Sequence, residues 1–145
     1  NLGVALNNSG HHVEAAQRLL EARERYQVGS EDWATATAFA FDLLKLEKCD
    51  EVAKPEWWSD EGLKVLSARV VRAVPNDMRA NTMRAMVLSG QLGAWEEGPR
   101  SAAELREAAA HFDRSAVLTD APAVKAEKAL MADECRCAAA AIEGS

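Results

Sequence analysis

The sequence predicts an all-α protein of about seven helices, arranged as three helical pairs and one more. Three observations lead there. Apolar residues recur three and four apart along most of the 145 residues, and no stretch alternates as a strand does. Tyrosine and phenylalanine are scarce in a chain that is 48% hydrophobic, while alanine is abundant, which suits helices packed closely through small side chains. Serine, glycine and proline punctuate the pattern where helices start and stop.

The elements follow in order. A first short helix spans residues 1–8 and ends at Ser9-Gly10, with Gly10 free to take a left-handed cap conformation. A second runs over 12–26, with Gly29 at its exit. Ser30 caps a third, over 31–48, with Glu31 and Asp32 at its positive end and a stripe of Trp33, Ala36, Phe39, Ala40, Leu43, Leu44 and Leu46. An irregular connection near 49–59 holds Pro55, Trp57 and Trp58. Ser59 opens a fourth helix with Leu63, Leu66, Val70, Val71 and Val74, stopped by Pro75. A fifth spans 76–89 and Gly90 ends it. A second irregular loop near 90–100 contains Trp95, and Ser101 with Glu104 forms a capping box for the sixth helix. Pro122 opens the last, which reaches about Ile142, with Gly144 as a stop.

Within the first 33 residues the packing pattern is specific. Leu2-Gly3 lies on one short helix; Ala15, Leu19 and Ala22 line a second, and Tyr26 closes it. Small residues at Gly3, Ala15 and Ala22 let two helix backbones approach, while Leu19 fills the space between them. This resembles the tetratricopeptide repeat, a unit of roughly 34 residues made of two antiparallel helices. The same register puts Trp33 where the next unit most often has tryptophan; Gln27 departs from the family's usual proline. Ala108, Phe112 and Ser115 continue the resemblance in the sixth helix, with Asp120 again replacing proline, and it is poor over 50–99. The resemblance implies a right-handed stack of antiparallel helix pairs forming one domain over 1–145, capped by the last helix. The chain opens inside the pattern, which predicts a piece of a longer protein.

A net charge of -6 argues against non-specific nucleic-acid binding, and the pairs Arg23/Arg25 and Arg69/Arg72 read as solvated helix faces. No apolar run is long enough to span a membrane. Cys49, Cys135 and Cys137 are odd in number and lack disulfide-framework spacing, so reduced thiols in the cytoplasm or another reducing intracellular compartment are expected.

The chain offers little chemistry. His11 and His12 are adjacent at a predicted turn and His111 is alone, which suits no shared metal. Cys135 and Cys137 point about 200° apart on a helix, so they read as small packing residues. Gly90, Gly93 and Gly98 match no phosphate-binding loop. The carboxylates lie on exposed faces without convergence, and the sequon Asn7-Asn8-Ser9 has no secretory context. No catalytic residue, cofactor or metal is expected, and the chain is not expected to be an enzyme.

Binding is the expected function. In the resembled family the first helices of the pairs line a concave groove that holds a peptide or a partner helix. Here that implies Val4, Asn7, Ala34, Ala38, Phe41, Ala80 and Arg84, with Asn81 adjacent; Phe41 would offer an apolar platform and Arg84 would meet a carboxylate. Val4, Asp77 and Asn81 stand where the family's chaperone-gripping subgroup carries its asparagine and basic groups, which argues against that specificity. Trp57, Trp58 and Trp95 sit in or beside the irregular loops, where they serve either as interface anchors or as plugs for gaps between alanine-rich helices. The leading expectation is a protein–protein interaction module. A structural segment of a larger assembly is the alternative, and an all-α enzyme the third.

Overall fold

The computed structural model describes residues 9–46, 49–90 and 95–144, and among these it is all-helical. Among the described residues six helices follow one another: α1 (Ser9–Arg25), α2 (Glu31–Leu44), α3 (Asp60–Ala73), α4 (Met78–Ser89), α5 (Ala102–Leu118) and α6 (Pro122–Glu143). The helix expected over 1–8, with Val4 and Asn7, lies outside the described residues, as does Gly93.

Local chemistry explains most boundaries. Ser30, Ser59, Asp77 and Ser101 each adopt extended backbone and accept a hydrogen bond from the first turn of the helix that follows. The reciprocal capping box of Ser101 and Glu104 is present. Pro122 occupies the first turn of α6, where its missing N–H costs nothing. Val74, forced out of helical backbone by Pro75, ends α3. Gly90 ends α4 in the left-handed conformation, at φ 61°.

Two boundaries depart from expectation. Gly10 makes no turn: it lies in the first turn of α1, where a glycine disturbs a helix least. The helix expected to reach Lys48 ends at Leu44, because Leu46 N–H bonds back to Leu43 O at 3.0 Å and tightens the exit.

Consecutive helices pack on each other, and α2 also packs on α4. Alanines make that approach possible: Ala34, Ala38, Ala80 and Ala85 are all at most 1% exposed. The main core gathers Trp33 and Phe41 of α2, Leu63 and Val70 of α3, Met83 and Val87 of α4, Phe112 of α5 and Cys135 of α6. A smaller core of Ala16, Leu44, Cys49 and Val52 lies beneath α1. Trp57 and Trp58 pack against both.

The two irregular connections fold onto α2. Trp58 and Trp95 stand 5.5 and 6.0 Å from the Phe41 ring and 5.9 Å from each other. The second connection is anchored by charge. Asp60, in the first turn of α3, accepts from Trp95 Nε1 at 3.0 Å, Gly98 N at 3.1 Å and Arg100 Nη1 at 2.9 Å. Arg100 also donates to Val87 O at 2.9 Å and lies against Gly90, where a Cβ would meet its Nε at 2.8 Å. Glycine at 90 therefore satisfies both the left-handed turn and the packing of the guanidinium. The Arg100 hydrogen bonds, ahead of those from Trp95 and Gly98, hold the Asp60 carboxyl far below the usual carboxylate range despite its partial burial.

Candidate functional site

An open cleft of about 460 Å³ is lined by Arg23, Val28, Trp33, Trp57, Glu61, Gly62, Val65, Leu66 and Arg69. Three pieces of backbone build it. The last turn of α1 brings Arg23, and the following turn brings Val28. The Ser30 cap places Trp33 in the first turn of α2, where it is 2% exposed and forms the floor. Glu61, Val65 and Arg69 lie four residues apart and therefore share one stripe of α3, which forms the far wall. The chain enters that wall tightly: a Cβ at Gly62 would stand 2.6 Å from Trp57 O, so only glycine lets the tryptophan backbone approach.

Two guanidinium groups meet over one indole. Arg23 and Arg69 each stand 5.6 Å from the Trp33 ring centroid, and Arg23 is 5.1 Å from that of Trp57. The negative ring faces offset the mutual repulsion of the two cations, each contact contributing about 0.5–2 kcal/mol. Arg23 is oriented further by donating Nε–H to Thr37 Oγ1 at 2.9 Å, while that hydroxyl donates to Trp33 O at 2.7 Å. Burial pulls the Arg23 pKa down, and neighbouring Glu24 opposes the shift. Arg69 is exposed, and it pairs with no carboxylate among the described residues. A smaller hollow adjoins it, lined by Gly29, Arg69, Arg72 and Ala73; exposed Arg72 likewise lacks an acidic partner among the described residues. The walls carry exposed apolar groups, Val28 at 57% and Val65 at 60%. The arrangement offers an apolar floor, two aliphatic edges and fixed positive charge at one end. It can bind; no nucleophile or acid–base pair converges in it.

Of the contacts expected from the sequence, Trp57 lies at this cleft. Ala38 and Phe41 are buried in the main core, Phe41 beneath Trp58 and Trp95, and present no surface to a partner in this arrangement. Asn81 is buried: its Nδ2 donates to Pro75 O and Asp77 O at 2.9 Å, and its Oδ1 faces His111 Nδ1 at 2.9 Å. Since Oδ1 only accepts, that histidine nitrogen carries the proton. Burial lowers the His111 pKa; Glu107 acts in the opposite direction. Arg84 bonds within the fold, to Lys64 O at 2.7 Å, Ser67 Oγ at 3.1 Å and Glu107 at 3.1 Å. Trp95 is 8% exposed with its indole N–H on Asp60, and Trp58 is half-buried. Asn7 lies outside the described residues.

Cys49 and Cys135 are buried and Cys137 is exposed, so the packing role expected of both helical cysteines holds for Cys135 but not for Cys137. Among the described residues no group of three or more His, Cys, Asp or Glu side chains could hold a metal ion, and no helix is long and apolar enough to cross a membrane.

Sequence reasoning missed the arginines, which read as solvated faces. The available signal was Val65, an aliphatic residue on the polar stripe of α3, one turn from Arg69. No protein-family model, curated protein or solved structure matches the chain.

Proposed function

We propose that the chain is a protein–protein interaction module of the tetratricopeptide-like kind, and that its partner segment occupies the cleft between the end of α1 and α3. The observation that carries the reading is the cleft itself: apolar surface left open beside the Arg69 guanidinium, which is held over Trp33 and has no carboxylate partner among the described residues. Packing of α2 on α4, in addition to packing between sequential neighbours, supports a repeated helix pair. The partner site differs from the concave groove expected from the repeat register, because Trp58 and Trp95 cover Phe41 there.

A second reading, a structural segment of a larger assembly, draws on exposed apolar residues at the other end. Val117 is 69% exposed, Leu130 59% and Ile142 44%. Photo-crosslinking separates the two. A benzophenone side chain is placed at Val65 in one chain and at Leu130 in another, and both are irradiated in the native cell. The interaction-module reading expects a protein joined at Val65 and lost when Arg69→Glu is added. Adducts confined to Leu130 would replace it with the structural reading.

A further inference from the structure

We infer that the cleft recognises an acidic peptide segment carrying one bulky apolar side chain. The apolar group lies against Val28, Val65 and Leu66, and its flanking carboxylates meet Arg69 and Arg72. The inference rests on the reading of the cleft as a peptide site and deepens it by naming the ligand's chemistry.

Charge pairing elsewhere in the molecule makes the argument. The chain has 23 acidic against 17 basic residues, and most of its arginines face an acid, Arg25 and Arg114 being exceptions among the described residues. Arg79 pairs with Asp42, Arg84 with Glu107, Arg100 with Asp60, Arg106 with Glu143 and Arg136 with Asp113. Arg69 and Arg72 have no such partner among the described residues, and both border concave surface. Arg69 is also held over Trp33, which pre-organises its planar fork for a carboxylate.

The stripe on α3 sets the ligand's direction. Glu61 lies at one end and the arginines at the other, with Val65 between them. Repulsion from Glu61 and attraction to Arg69 and Arg72 place the ligand's carboxylates toward the C-terminal end of α3. A nucleic acid is disfavoured: a few guanidiniums on a chain of net charge -6 do not supply the phosphate neutralisation it requires.

The test is selection of a random library of short peptides on the full chain, on the double variant Arg69→Glu/Arg72→Glu, and on Val65→Glu. Both arginines are exposed, so the double variant keeps its fold, which circular dichroism verifies; Arg69→Gln/Arg72→Gln provides a milder second variant. The native chain is expected to enrich Asp and Glu beside Trp, Phe or Leu. The charge-reversed chain is expected to enrich Lys and Arg instead, and to bind the synthetic acidic peptides about tenfold or more weakly. Neutral or basic peptides enriched on the native chain and lost in Val65→Glu would overturn the acidic specificity while leaving the peptide site standing. Absence of enrichment, or peptides indifferent to Val65→Glu, would overturn both. Equal affinity for 3-phenylpropionate alone would overturn the peptide reading in favour of a small-carboxylate pocket.

Discussion

Helix α3 carries two electrostatic regions that treat arginine in opposite ways. At its N-terminal end Asp60 and Arg100 close on each other, with Trp95 and Gly98 completing the carboxylate's hydrogen bonds. Arg100 keeps 7% of its side chain exposed. Toward the other end Arg69 lies over Trp33, exposed, with no acid facing it among the described residues. The first region is saturated and holds a loop in place. The second leaves charge and apolar surface unsatisfied, which is the condition for binding something else. One helix thus separates a fastening from a receptor by about two and a half turns.

The largest effect expected belongs to the fastening. Asp60→Ala strands Arg100 with little water around it, and urea denaturation should show a loss of about 3–5 kcal/mol. A loss under about 1 kcal/mol would mean that water replaces the carboxylate freely and that the contrast with the cleft is overstated.

Acid titration sharpens the same contrast. The folded pKa of Asp60 lies below its unfolded value, so its stabilisation is complete above about pH 4 and is lost as pH falls through the folded value. His111 is also depressed, by burial; its stabilisation is present above about pH 6.5 and is lost as pH falls through its folded value. Thermal melts against pH should therefore fall in two stages, with the upper stage absent in His111→Gln and the lower stage reduced in Asp60→Asn.

A smaller effect is expected from Thr37→Val, which removes the acceptor that orients Arg23. The loss should be about 1 kcal/mol by chemical denaturation, together with weaker peptide binding as the Arg23 fork loosens. Binding unchanged in that variant would remove Arg23 from the receptor. The smallest effect is expected from Arg72→Gln: stability within about 0.5 kcal/mol of the native chain, by the same denaturation. Any larger loss would reveal a structural role that the exposed side chain does not show.

The local part of the fold was legible in the sequence. Ser30, Ser59 and the Ser101–Glu104 box act within one turn, so their residue types suffice to place them. Gly10 was misread because glycine suits a turn and a first helical turn alike. The site was less legible. Repeat register placed Phe41 toward a groove, but a register describes helices and not the loops between them, and here the loops bring Trp58 and Trp95 onto that ring. Arg23 and Arg69 meet at Trp33 from helices far apart in sequence, and periodicity within either helix holds no record of that meeting. Val65 was the local sign, since an aliphatic residue 60% exposed among charged neighbours is a poor choice for a solvated face.

The four tryptophans allow the central claim to be read directly, because each indole N–H gives its own nitrogen–proton resonance. The measurement is titration of the isotopically labelled chain with a short acidic peptide carrying one leucine. The Trp33 and Trp57 indole signals are expected to move together and saturate, while the signal of Trp95, held on Asp60, stays in place. Movement of Trp95 with Trp33 and Trp57 fixed would contradict that claim, and would place recognition at the loops that cover Phe41.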